Sequence, residues 1–86
     1  PKLSDVVLIF SAVNHIDLSS QLMLENLQQQ LAKRHIVLHL AEIKGFVMDS
    51  LVNTPLLKNW QGKIFDTTEQ AANSLKPQVP EPEYNL

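Results

Sequence analysis

The chain has 86 residues, a formal net charge of −2 and no cysteine. This length allows one small domain with one core and little room for a deep active-site pocket, and the absence of cysteine excludes a disulfide scaffold and any thiolate metal site. The seven Lys and Arg residues are scattered, which argues against a nucleic-acid partner, because such a partner requires a clustered basic face.

The first third of the chain predicts a strand followed by a long helix. Residues 5–12 include five consecutive apolar residues rich in β-branched types, a pattern typical of a strand covered on both faces. Residues 20–34 predict a helix, and Asp17, Ser19 and Ser20 are each able to cap its start. One inward stripe is expected from four residues of this helix, namely Met23, Leu24, Leu27 and Leu31.

The middle of the chain predicts a second strand over residues 36–43 and a second helix over residues 46–52. The helix should end before Pro55, because the residue preceding a proline avoids the helical region. Thr54 and Pro55 then favour a short helical turn. The apolar residues expected to point inward are Phe46, Val47, Leu51, Leu56, Leu57 and Trp60.

The last elements are a short strand over residues 63–65 and a helix over residues 67–75. Thr67 and Gln70 have the spacing of a capping box, and Asp66 with Glu69 is an alternative. Ala71, Ala72 and Leu75 are expected to form the apolar face of this helix.

The predicted order is β-α-β-α-β-α, which implies an α/β fold with mainly parallel strands joined by right-handed crossovers. Three strands make a narrow sheet, and the chain begins without Met. We therefore expect that strands preceding Pro1 are missing and that residues 1–75 form a partial domain. Residues 76–86 contain three prolines and predict an extended tail.

The start of the first helix is the candidate ligand- or partner-binding site, formed by Asp17, Leu18, Ser19 and Ser20. Free N–H groups and the helix dipole at a helix N-terminus can hold an anion. Simple capping by Asp17 or Ser19 is the favoured interpretation of the polar residues.

The remaining polar residues predict neither a metal site nor a catalytic one. His15, His35 and His39 lack a metal-binding pattern, and His39 is expected to point to a helix or an edge and satisfy a hydrogen bond. Asp17, Glu42 and Asp66 lie near strand ends, where α/β sheets bind ligands, but no nucleophile and base accompany them. We predict a protein that is not an enzyme and that uses no cofactor.

Three segments resemble the STAS domain, the fold shared by anti-sigma-factor antagonists and the C-terminal cytoplasmic domain of SulP-type anion transporters. The first is the buried strand followed by Ile-Asp-Leu-Ser-Ser at residues 16–20. The second is residues 35–45 followed by residues 47–51, and the third is residues 64–67 with the helix that follows them. The likeness spans residues 6–75 and implies a STAS-like fold that lacks its first strand pair and first helix.

The sequence departs from the antagonist pattern at Leu18. Antagonist-type STAS domains have a phosphorylatable Ser or Thr directly after the Asp of this loop, and here that position is Leu18. A Gly found in many members is replaced by Ser20 or Pro55. Because SulP-type domains do not require the hydroxyl, the resemblance favours them.

The resemblance therefore implies a non-catalytic regulatory domain of a sulfate-like anion transporter, at the cytoplasmic face of the plasma (inner) membrane. The implied partners are the membrane domain of the same transporter, a regulatory protein or a second copy, through surfaces around residues 13–24 and the second helix. The alternatives are a freestanding anti-sigma-factor antagonist and a nucleotide-sensing module.

Overall fold

The computed structural model describes residues 3–75 as a three-stranded parallel sheet with four helices. The elements are β1 (Asp5–Ile9), α1 (Leu18–Ala32), β2 (Val37–Ala41), α2 (Gly45–Leu51), α3 (Pro55–Lys58), β3 (Ile64–Phe65) and α4 (Thr68–Ser74). This arrangement confirms the predicted alternation of strands and helices, and α3 lies where the helical turn is predicted. Residues 76–86, with their predicted tail, lie outside the described residues.

The sheet has the order β1-β2-β3, and both pairings are parallel. Asp5 is opposite Val37 at one end of the β1–β2 pair, and Ile9 is opposite Ala41 at the other. Over residues 3–75, no strand pairs with the outer edge of β1. That further strands precede Pro1 stays a prediction.

The strand covered on both faces is β2 and not β1, contrary to the prediction. Four consecutive residues of β2 are buried, whereas β1 is only half-buried and Ile9 is 53% exposed. The apolar run of β1 does not show which strand lies in the middle of the sheet. Only β2 has a neighbouring strand on each side, and strand order is not a property of one segment.

All three strands are shorter than predicted, and backbone geometry marks two of the element boundaries. Glu42 has φ 63° and follows the end of β2, while His35 has φ 60° in the turn that leads into β2. Such left-handed backbone is uncommon for residues other than glycine. Histidine is enriched in this conformation but glutamate is not, and neither residue has the strong turn signal of Gly or Pro, which is why the sequence extends β2 too far at both ends.

The core joins the middle of the sheet to α1, α2 and α3. Leu40 of β2 packs with buried apolar residues from these helices and from the β1–α1 loop, namely Phe10, Ile16, Leu24, Val47, Leu51 and Leu56. Leu57 and Trp60 pack against this cluster at its margin and are only partly buried. Of the three α2 residues predicted to point inward, Val47 and Leu51 are buried and Phe46 is not.

Several side chains predicted to point inward do not. Met23 is 62% exposed and Phe46 is 61% exposed, because each is adjacent in sequence to the buried residue of its helix and lies about 100° around the axis from it. Leu27 is only half-buried, and Ala72 of α4 is exposed. Helices α1, α2 and α4 therefore each bury a narrower face than the sequence predicts.

Helix α4 begins as a capped helix at Thr67. The Thr67 hydroxyl accepts a hydrogen bond from the Gln70 N–H, as predicted. The Gln70 side chain accepts from the Asp66 N–H instead of that of Thr67, so the reciprocal bond reaches one residue further back. Ala71 is buried and fixes the inner face of the helix.

Candidate partner-binding site

The start of α1 is built around Asp17. Its backbone is extended, and its carboxylate accepts a hydrogen bond of 2.8 Å from the Ser20 N–H. This confirms capping by Asp17, and the helix begins at Leu18, two residues before the predicted start. The hydrogen bond from the Ser20 backbone lowers the pKa of Asp17, so the cap is ionised at neutral pH.

The other three residues of the predicted site follow in the first turn of α1. Leu18 is 69% exposed, Ser19 is exposed and Ser20 is half-buried. The Asp17 carboxylate occupies one of the free N–H groups and places a negative charge at the helix N-terminus. A second anion would be repelled there, so this end of the helix suits a neutral or apolar partner better than an anionic one.

An apolar groove of about 200 Å³ lies beside this first turn. It is lined by Phe10, Val13, His15, Ile16, Ser20, Met23 and Leu24. Three residues in the first turns of α1 carry exposed apolar side chains, of which Met23 also lines the groove, and we call Leu18, Leu22 and Met23 the α1 apolar surface. Sequence reasoning placed Leu18 in the candidate site and named the surface around residues 13–24 as a contact region, but it placed Met23 in the core.

The loop that forms one wall of the groove is tied to the rest of the fold. The Lys44 ammonium donates to the Asn14 side-chain oxygen, which joins the loop to the N-terminal cap of α2. The Val13 N–H donates to the Phe10 carbonyl within the loop at 2.9 Å. The loop is therefore held by one hydrogen bond to the N-terminal cap of α2 and by another within itself.

Two of the three carboxylates predicted near the strand ends, those of Glu42 and Asp17, accept structural hydrogen bonds. One Glu42 carboxylate oxygen accepts from the Thr68 N–H at 2.8 Å and from the Thr68 hydroxyl at 3.0 Å, which secures α4. Asp17 caps α1. Within residues 3–75, no three His, Asp or Glu side chains are grouped in a way that could hold a metal ion.

A polar cluster on the sheet joins His39, Asp5 and the backbone of Lys63. His39 satisfies hydrogen bonds as predicted, but it does so from the central strand, where it is only 4% exposed. Its position between Leu38 and Leu40 is the only sequence signal of this cluster. Asp5 and Lys63 are far from His39 along the chain, so the sequence does not predict that they contact it.

Over the part of the chain that the structure describes, no helix has both the length and the apolar character that crossing a membrane requires.

Comparison with protein-family models identifies the family of this chain. The STAS domain model matches residues 1–71. Neither the curated proteins nor the solved structures contain a match. Since the family match covers most of the chain and the parallel sheet with alternating helices is consistent with it, the chain belongs to the STAS domain family, whose domains are generally non-catalytic and act as regulatory or interaction modules.

Proposed function

We propose that the chain is the cytoplasmic regulatory domain of a SulP-type anion transporter and that it contacts the membrane part of that transporter at the start of α1. In this role the domain carries no chemistry. It contributes to packing or gating at the cytoplasmic face of the plasma (inner) membrane, while the anion passes through the membrane part.

The observation that carries this proposal is Leu18. It follows Asp17 directly, at the position where the resemblance to antagonist-type domains implies a phosphorylatable hydroxyl. Leu18 has no hydroxyl, and its side chain is 69% exposed. An exposed leucine cannot serve a phosphorylation switch, whereas it can serve a contact that excludes water.

The surroundings of Leu18 support a protein contact. Leu22 is 56% exposed and Met23 is 62% exposed; Met23 lines the apolar groove, and Leu22 precedes it on α1. Several exposed apolar side chains within two turns of one helix mark an interaction site more often than an isolated one does. A contact of this kind can couple the domain to the transporter through a free energy shared between two sites.

The coding sequence upstream of Pro1 tests the proposal most directly. We expect about ten or more hydrophobic segments, each of about 20 residues, because a polytopic transporter needs that many spans. A complete small reading frame without hydrophobic segments would rule the transporter out.

A second test measures the contact itself. The upstream membrane part and the 86-residue chain are expressed as separate polypeptides and copurified in detergent. We expect Leu22→Asp to reduce the recovered chain about tenfold or more, because it places a charge in an apolar contact. Ala72→Asp is the matched control, since Ala72 is an exposed helical residue on α4. Equal recovery of both variants would contradict the proposed contact.

The alternative is a freestanding anti-sigma-factor antagonist, and the exposed hydroxyl of Ser19 favours it. Ser19 lies one residue after Leu18 in the first turn of α1. This alternative predicts a complete short reading frame and a phosphate on Ser19 in protein isolated from its own cells, read by mass spectrometry. Ser19→Ala would abolish that phosphate.

A nucleotide-sensing module is the third candidate, and a titration separates it from the others. ATP or GTP at about millimolar concentration would shift the amide signals of residues 17–21 if nucleotide bound at the α1 N-terminus. We expect no such shifts, because the Asp17 carboxylate already occupies that end of the helix.

A further inference from the structure

His39 is a buried imidazole with a defined partner at each ring nitrogen. It lies on β2, is 4% exposed, and faces β1 on one side and β3 on the other. Its Nε2 is 2.7 Å from a carboxylate oxygen of Asp5, and its Nδ1 is 2.9 Å from the backbone nitrogen of Lys63. The ring therefore connects all three strands.

These partners fix the protonation state of the ring. The Lys63 N–H can only donate, so Nδ1 must accept and carries no proton. The remaining proton of the neutral imidazole is therefore on Nε2 and points at the Asp5 carboxylate. The hydrogen bond from His39 lowers the pKa of Asp5, which keeps the acceptor ionised.

The contact with Lys63 matters because β3 is held weakly. The strand has two residues, and only Ile64 and Phe65 are in register with β2. The imidazole accepts a hydrogen bond from the Lys63 N–H directly before β3 begins. The Lys63 carbonyl accepts a second bond, of 3.0 Å, from the Leu40 N–H. A backbone bond of 3.3 Å from the Glu42 N–H to the Phe65 carbonyl holds the other end of the strand, so loss of the Lys63 contact acts first on the start of β3.

We propose that His39 is a pH-sensitive latch: protonation at Nδ1 releases the Lys63 N–H and weakens the attachment of β3 to β2, while Asp5 keeps the ring on the sheet. The proton comes from solvent and binds the Nδ1 lone pair that accepts from the Lys63 N–H in the neutral ring. The new N–H then opposes the Lys63 N–H, and two donors cannot share one hydrogen bond. The latch operates whichever protein the domain regulates.

The groups that face the ring determine which side opens. The Asp5 carboxylate on β1 favours the doubly protonated ring, and Ser4 donates to that same carboxylate. The backbone N–H of Lys63 disfavours it, and the ammonium of Lys63 is the other charge near the pair. On β3 the ring meets Phe65, an uncharged aromatic whose centroid is 5.9 Å away. Protonation therefore strengthens the β1 side and weakens the β3 side.

The first measurement is the tautomer of His39, read from the ¹⁵N shifts of its ring in the 86-residue chain. At about pH 8 we expect an unprotonated Nδ1 and a protonated Nε2. A proton on Nδ1 at that pH would overturn the proposal. His15 and His35 are both exposed and serve as references in the same spectrum.

The second measurement follows β3 between about pH 8 and about pH 5, the range in which imidazoles titrate. We expect the Lys63, Ile64 and Phe65 amide signals to shift with the same midpoint as the His39 ring. The hydrogen-exchange protection of Phe65 should fall about tenfold, as expected for the loss of about one hydrogen bond, while that of Leu8 in β1 is retained. A His39 ring that does not titrate in this range would overturn the proposal.

His39→Gln is the control variant, because glutamine can accept from Lys63 and donate to Asp5 but cannot titrate. It should keep β3 protected at both pH values and abolish the shared midpoint. If the β3 amides of His39→Gln shift as they do in the original chain, the imidazole is not the latch. If this variant fails to fold, the original chain still decides the question, because a Lys63 amide midpoint that differs from that of the His39 ring contradicts the proposal.

Discussion

At the scale of single residues, Gly62 shows how closely two backbone segments approach in this small fold. A Cβ built on Gly62 would lie 1.8 Å from the Leu38 carbonyl oxygen and 2.8 Å from the carbonyl carbon. Both atoms belong to the backbone of the central strand, so neither can move aside as a flexible side chain would. The sequence gives no sign of this contact.

Gly62→Ala is therefore expected to cost about 3 kcal/mol or more in the free energy of unfolding, because overpacking against backbone forces the strand to shift. Chemical denaturation measures the change. Gly45→Ala is the matched control: nothing lies within 4 Å of an added Cβ at Gly45, and alanine is the better helix former. A Gly62 variant as stable as the Gly45 variant would contradict the close approach.

At the scale of the elements, α1 packs on the core along one narrow face, and the apolar residues of α1 beside that face are exposed. Leu24 is 5% exposed, Met23 is 62% exposed and Leu27 is half-buried. The sequence gives these three residues the same inward role, because apolar spacing alone predicts a wider stripe. Only the contact with β2 and α3 decides which line of the helix is covered.

Leu24→Ala is expected to cost about 2–5 kcal/mol in the free energy of unfolding, as for other buried leucines. Met23→Ala should change stability by less than about 0.5 kcal/mol, as for other surface substitutions. Leu27→Ala, a core substitution by sequence reasoning, should fall between the two. The three variants are compared in urea, and equal losses for Leu24 and Met23 would contradict this orientation of α1.

The N-terminal cap of α1 is a second feature of this element that can be tested. Asp17→Ala removes the acceptor of the Ser20 N–H and should lower the melting temperature, because that N–H is then left without its side-chain partner. Asp17→Asn keeps an acceptor oxygen and should restore most of the loss. Circular dichroism on heating distinguishes the two, and an alanine variant as stable as the asparagine variant would show that the cap contributes nothing.

At the scale of the whole molecule, the Asp5 carboxylate links the stability of the sheet to pH. The hydrogen bond from His39 is the main cause that lowers the pKa of Asp5 below its ordinary value of 3.8. The unfolded chain therefore takes up the Asp5 proton at a higher pH than the folded chain does. The stabilisation is complete above pH 3.8 and is lost as the pH falls through the lower pKa of the folded state.

Asp5→Asn is expected to lower stability at neutral pH and to flatten the dependence of stability on pH below about pH 4. Urea unfolding at a series of pH values measures both effects. An acid dependence as steep in Asp5→Asn as in the original chain would assign the effect to other carboxylates. Glu25→Gln is the control, a carboxylate on α1 that has no part in the β1–β2 contact.

The sequence by itself determined the order of the elements, their parallel arrangement and the family. It also identified the caps at Asp17 and Thr67 and the buried positions Val47, Leu51 and Leu56. These features are local or periodic, since a cap involves residues three apart and a buried face repeats along one element. The candidate site at residues 17–20 was predicted from a local pattern of the same kind and stays a prediction.

Only the tertiary structure decided which strand is central, where Met23 and Phe46 point, and that His39 meets Asp5 and Lys63. Each depends on residues brought together from distant parts of the chain: Asp5 is 34 positions from His39, and Lys63 is 24. No local pattern records such a pairing, because the side-chain period of a strand gives the face on which a residue lies and not its neighbour on the next strand.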